Sequence, residues 1–232
     1  MEGLTVKTWI TTLILILICI TPINAEIDRS LEQIFAETKE RWSEIKDLSL
    51  ILNVYQYNQD GHLTGELKSQ VLASQQDRLL RMEIMEPEIL EDQIYVLDER
   101  AQVLKMYLPV MDQIVVRSLE EAMAEFGFNF DLASLTQLPD PANYNMEIMD
   151  LARDDTSYYM IKVKAKESLG VEVPGYQIFW LNRDDLIPRK ITAFGDDGNL
   201  LGVINLSQVA INPGISPYQL AYLPEDAWVI EP

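Results

Sequence analysis

Apolar residues at three- and four-residue steps mark the segment that follows the first 25 residues. Ile27, Leu31, Ile34, Phe35, Trp42 and Ile45 form one stripe, which predicts an amphipathic helix over 26–48. Asp28 or Ser30 stands where a cap belongs, and acids crowd the first turns, where the helix dipole favours them. From Ser49 the period changes to two. Leu50, Leu52 and Val54 alternate with more polar neighbours, and Asn58-Gln59-Asp60-Gly61 signals a turn into a returning strand over 65–72. Leu80, Met82 and Ile84 alternate with Arg81 and Glu83, and Pro87 ends that strand.

Short strands are predicted next over 94–97, 103–108 and 113–116. The gaps between them are too short for crossover helices, so the strands form an antiparallel meander. Two short helices follow, over 118–126 and 131–138, with Ser118 and Asp131 as caps and Pro139 and Pro141 as breakers. Strands return over 144–148, 158–165, 176–181, 187–194 and 200–211, the last two joined by the turn Asp196-Asp197-Gly198-Asn199. Pro213 and Gly214 open a tail expected to be irregular. The pattern predicts a mainly antiparallel β protein with α, an α+β chain. About eleven strands must curl to bury one face, and about three helices are available to cover it. No repeat or Gly/Ser-rich linker divides residues 26–232, which read as a single domain.

The first 25 residues read differently. Trp9 to Ile20 is an apolar run of about a dozen residues, shorter than the roughly 20 that span a bilayer. Lys7 precedes it and Pro22-Ile23-Asn24-Ala25 follows, the layout of a secretory signal peptide cleaved after Ala25. An uncleaved anchor is the alternative. Acylation of Cys19 is disfavoured, because Ile18 replaces the small residue expected before a lipidated cysteine. Composition narrows the field further. The chain has 37 acidic and 18 basic residues, one His and one Cys, for a formal charge of -19. Cleavage would remove Cys19, Glu2 and Lys7 and leave the charge at -19. Such a charge repels phosphate and anionic headgroups, so no nucleic-acid binding is expected. One cysteine makes no internal disulfide, and His62 alone offers little for catalysis or zinc.

Several passages, taken in order, carry a family resemblance. Gly65-Glu66-Leu67 closes a hairpin. Arg78-Leu79-Leu80-Arg81-Met82-Glu83, Tyr95-Val96-Leu97-Asp98 and Leu104-Lys105-Met106-Tyr107-Leu108-Pro109 follow. Downstream stand Phe179-Trp180-Leu181-Asn182, Leu186-Ile187-Pro188-Arg189-Lys190-Ile191, Gly198-Asn199-Leu200 and Val209-Ala210-Ile211-Asn212-Pro213-Gly214-Ile215. In this order the chain resembles the LolA/LolB-type carriers, the outer-membrane lipoprotein-sorting proteins of bacterial envelopes. The resemblance implies a half-open, strongly curled β-barrel with a helical lid over an apolar cavity for acyl chains. Two departures stand out. The turn before the Tyr-x-Pro strand reads Asp98-Glu99-Arg100, without the family's Asp-Gly. Ser74-Gln75-Gln76-Asp77 replaces the Arg-Pro pair that leads to the family's lid-latching arginine, and Arg78 and Arg81 are only nearby cations.

The inward sets of the strands are the expected lining: Leu80, Met82 and Ile84; Leu104, Met106 and Leu108; Ile114 and Val116. Nine methionines suit an adaptable lining. The same positions also suit a plain filled core, which is the commoner fate of apolar strand faces. Turn acids at Asp154-Asp155, Asp184-Asp185 and in the 86–92 cluster read as solvated loops rather than a glycosidase pair. No metal or cofactor site, phosphate loop or serine-nucleophile elbow is expected, and no enzyme. The resemblance implies a monomeric periplasmic carrier of lipid or lipoprotein acyl chains towards the outer membrane. Its implied partners are an inner-membrane release complex and an outer-membrane acceptor. A non-transporting envelope sensor or adaptor on the same scaffold, binding a protein partner, is the alternative.

Overall fold

The backbone turns from helix to strand at residues 45–47, a little before the change of period at Ser49. The computed structural model describes residues 30–126, 138–149, 157–166 and 175–231. The segment expected to be a signal peptide and nearly all of the helix expected over 131–138 lie outside the described residues. Helix α1 spans Leu31–Glu44. It ends before the sequence pattern does because 47 and 48 are taken into strand β1, where they pair with β2 and 48 also with β11.

Twelve strands follow. They are β1 (Asp47–Tyr57), β2 (Leu63–Ser74), β3 (Leu79–Glu86), β4 (Ile94–Asp98), β5 (Val103–Leu108) and β6 (Gln113–Ser118), then β7 (Tyr144–Ile148), β8 (Tyr158–Ala165), β9 (Tyr176–Asn182), β10 (Pro188–Phe194), β11 (Leu200–Ile211) and β12 (Trp228–Ile230). Helix α2 (Leu119–Phe126) follows β6, and α3 (Pro217–Ala221) lies between β11 and β12. As expected for α2, the Ser118 hydroxyl accepts the Glu121 N–H at 3.2 Å. Both expected hairpin turns form. Gly61 and Gly198 take positive φ of 78° and 81°, and Asn58 and Asp197 side chains accept backbone N–H groups across each turn.

All the strands form one sheet in the order β12-β6-β5-β4-β3-β2-β1-β11-β10-β9-β8-β7. It is an unclosed, curled half-barrel. Strands β1 to β6 pair antiparallel in sequence order, as do β7 to β11, and β1 joins the two halves by pairing with both β2 and β11. The tail beyond Pro213 is more regular than expected. It forms α3, with a capping box between Ser216 and Gln219, and then β12, which pairs parallel to β6. No helix of the described residues is long and apolar enough to cross a membrane.

Candidate functional site

Register decides which side chains meet. In the first half, Val71 lies opposite Met82, Met82 opposite Tyr95, Tyr95 opposite Met106, and Met106 opposite Val115. In the second half, Val54 lies opposite Ile204, Ile204 opposite Ile191, Ile191 opposite Phe179, and Phe179 opposite Ile161. Directly paired residues point to one side of a sheet. Both rows therefore belong to the same face, and we call it the inner face because α1 covers it.

Two buried clusters share this face. One holds Leu48, Leu50, Leu52, Val71, Leu80, Met82, Ile84, Leu104 and Met106, with Trp42 and Ile45 packed into it. The other holds Tyr159, Ile161, Val163, Phe179, Leu181 and Ile191, with Ile34, Leu31 and Phe35 from α1. Ile204 touches both. The first turn of α1 thus packs on β8–β10 and its last turn on β1–β5. Fourteen residues at 1.5 Å each give about 21 Å, enough to bridge the two halves.

The C-terminal end of α1 is tied down by side chains. Asn212, in left-handed conformation at the end of β11, accepts the Lys46 N–H at 2.6 Å and donates to the Glu44 carbonyl at 3.2 Å. Gln75 Nε2 donates to the Trp42 carbonyl at 3.3 Å. Gln75 lies in the β2–β3 turn, within the stretch that replaces the family's Arg-Pro pair. The two nearby cations point elsewhere. Arg78 sits in the turn and pairs with Glu99 at 3.0 Å. Arg81 lies on the opposite, outer face, where it donates to the Tyr222 carbonyl and pairs with Glu83 at 3.0 Å. Neither latches α1. Asn212 and Gln75 were not among the expected site residues. Asn212-Pro213-Gly214 did carry a turn signal, whereas Gln75 carried none.

Six of the eight expected lining residues share the inner parity. Leu80, Met82, Ile84, Leu104 and Met106 are each no more than 9% exposed, and Leu108 is half-buried. Ile114 and Val116 do not join them. Ile114 pairs with Tyr107 and Val116 with Lys105, so both face outward, and Val115 and Arg117 take the inner positions on β6. The inner face also holds polar groups. Ser69 Oγ is fully buried, and Tyr95 donates its hydroxyl to Gln93 at 2.9 Å. Burial pushes the Tyr95 phenol above its ordinary pKa, so it is neutral at physiological pH.

The outer face of the first half is covered by the tail. The Asp47 carboxylate accepts the Gly214 and Ile215 N–H groups, α3 packs on β3 and β2, and Leu220 is fully buried. Ile94, Val96, Ile114, Leu220 and Ala227 are buried yet belong to neither inner cluster. A cleft of about 380 Å³ opens at the far end of β6, between Val115, Val116, Arg117, Glu121, Ile230 and Glu231. The turn acids fall apart spatially. Asp185 pairs with Arg189 and caps the Ile187 N–H, Glu86 pairs with Lys68, and Asp154 and Asp155 lie outside the described residues. His62 is exposed in the β1–β2 turn.

No family model matches the chain, and no curated protein does. Among solved structures it is similar to an uncharacterized conserved protein from Thermus thermophilus. The TM-score is 0.59 at 15% identity, over 88% of this chain and 100% of that one. The two share a fold. Weaker likenesses include a putative outer membrane lipoprotein-sorting protein domain from Vibrio parahaemolyticus, at 11% identity and TM-score 0.44, over 83% of this chain and 97% of that one. A LolA superfamily protein from Nitrosomonas europaea follows at 14% identity and TM-score 0.35, over 82% and 94%. At these identities the likeness concerns fold alone.

Proposed function

We propose that this protein is an exported carrier that binds lipid or lipoprotein acyl chains between its inner face and α1, and moves them between membranes without covalent chemistry. One observation carries the reading. Buried apolar residues line the inner face from β5 to β8, in a sheet that does not close and that α1 bridges. Each methylene moved from water onto such a face contributes roughly 0.8 kcal/mol, so one acyl chain supplies ample affinity. Met82 and Met106 at its centre offer unbranched, adaptable side chains. Because α1 is tied at its C-terminal end, entry of a chain fits a displacement of its N-terminal turns, which are held mainly by Leu31, Ile34 and Phe35.

A specific observation also favours the second reading, a non-transporting adaptor. Leu80, Met82, Leu104 and Met106 are as buried as an ordinary core. Lipid uptake separates the two. Native mass spectrometry of protein from its own envelope is expected to show a bound lipid, and the delipidated protein is expected to take up a fluorescent fatty acid. Lipid-free protein with no uptake would overturn the carrier and leave the adaptor.

A further inference from the structure

The inner face does not account for a set of large apolar side chains at one end of the sheet. The β3–β4 and β5–β6 connections turn at the same end, since Ile94 pairs with Tyr107 and Leu108 with Gln113. β12 begins there too, with Trp228 opposite Gln113 and its N–H donated to the Asp112 carbonyl at 2.9 Å. At this end Ile89 is 81% exposed, Val110 91%, Met111 56% and Trp228 73%.

These side chains are held in place. Each connection is a single 3-10 turn set by a proline: Glu88–Leu90 follows Pro87, and Pro109–Met111 begins at Pro109. Leu90 packs into the inner core, and the Tyr107 hydroxyl donates to Asp112 at 3.2 Å. The Tyr107 phenol lies above its ordinary pKa, through desolvation first, then the Asp112 hydrogen bond and charge, then the Asp92 charge. A surface fixed in this way loses little conformational entropy when a partner binds.

The surroundings have one sign. Glu88, Glu91, Asp92, Asp112, Glu225 and Asp226 are all exposed, and residues 86–93, 107–113 and 222–231 contain no Lys, Arg or His. One cation reaches this end from β2, where Lys68 engages Glu86 at 2.8 Å. A second copy of the chain would bring the same acids, and an anionic bilayer would be repelled in the same way. Apolar anchors inside an acidic rim complement a protein segment of the opposite pattern. We propose that this end of the sheet docks a partner protein segment that presents apolar side chains set among lysines and arginines.

The surface lies outside the inner face, so its test is independent of lipid uptake. Fluorescence anisotropy would follow three probes on the mature protein at low salt: a labelled Leu/Lys amphipathic peptide, its Leu/Glu counterpart, and phosphatidylglycerol vesicles. The Leu/Lys peptide is expected to bind and to weaken as salt rises. The charge-neutral double variant Val110→Ser/Trp228→Ser is expected to weaken it at least about tenfold, with thermal unfolding unchanged because both residues are exposed. Asp92→Asn/Asp226→Asn is expected to weaken it as well, while Asp184→Asn/Glu40→Gln, away from this end, leaves it within about twofold. Equal binding by Val110→Ser/Trp228→Ser would overturn the proposal, as would equal binding of the Leu/Glu peptide or no binding of the Leu/Lys peptide. Vesicle binding, or self-association, that this same variant abolishes would also overturn it, by giving the surface a different occupant.

Discussion

The two halves of the sheet bury the same inner face and treat their outer faces differently. On β8–β10 the outer layer is made by the strands' own long side chains. Lys162 lies over the Tyr176 ring at 5.2 Å, Lys190 over the Trp180 ring at 4.8 Å, and Tyr176 stacks on Phe194 at 4.8 Å. These stems and rings shield Ile178 and Thr192, which are buried on that side. On β2–β6 a separate chain segment does the covering, because residues 212–231 run across the outer face and end as β12. Lone side chains shelter one or two positions. A packed segment makes a second small core, with Leu220 fully buried against it.

If the tail is a true second layer, truncating its anchor is as damaging as truncating the inner core. Leu220→Ala and Leu181→Ala, both 0% exposed, are each expected to cost about 2–5 kcal/mol in urea unfolding. A loss below about 1 kcal/mol for Leu220→Ala would reduce the tail to a loose attachment. Arg81→Leu comes next. It leaves the Tyr222 carbonyl and Glu83 without their cation on a buried face, and it is expected to cost about 1–3 kcal/mol. The smallest effect belongs to the other half. Lys190→Ala removes one cation from a partly exposed indole face, and it is expected to shift stability by about 0.5–1 kcal/mol. A larger cost there would mean that the second half's outer layer is as cooperative as the tail.

Much of this arrangement was legible in the residues. Alternation, short apolar runs and turn signals together located all eleven antiparallel strands, and where one face is buried the period of two also assigns the faces. Alternation failed in an informative way on β6. Ile114, Val115 and Val116 are consecutive apolar residues, so alternation does not say which parity turns inward. The pairing of Met106 with Val115 decided it, against the reading that put Ile114 and Val116 in the lining. The runs on β3 and β5 were unambiguous because Arg81, Glu83 and Lys105 interrupt them. The tail was misread for a related reason. Pro213, Gly214 and Pro224 look like loop residues, and three apolar residues from 228 to 230 are too few to show a period.

By itself the sequence determined the order and type of the described elements from α1 to β11, the acidic composition and the apolar stripe of α1. Each depends on residues close together in the chain. Tertiary structure alone decided three other features: which face of β6 is inner, that the tail covers β2–β6, and that Asn212 and Gln75 rather than an arginine hold α1. These depend on register between strands far apart in sequence. Asn212 lies 168 positions from the carbonyl that it contacts, and no local pattern encodes a contact at that range.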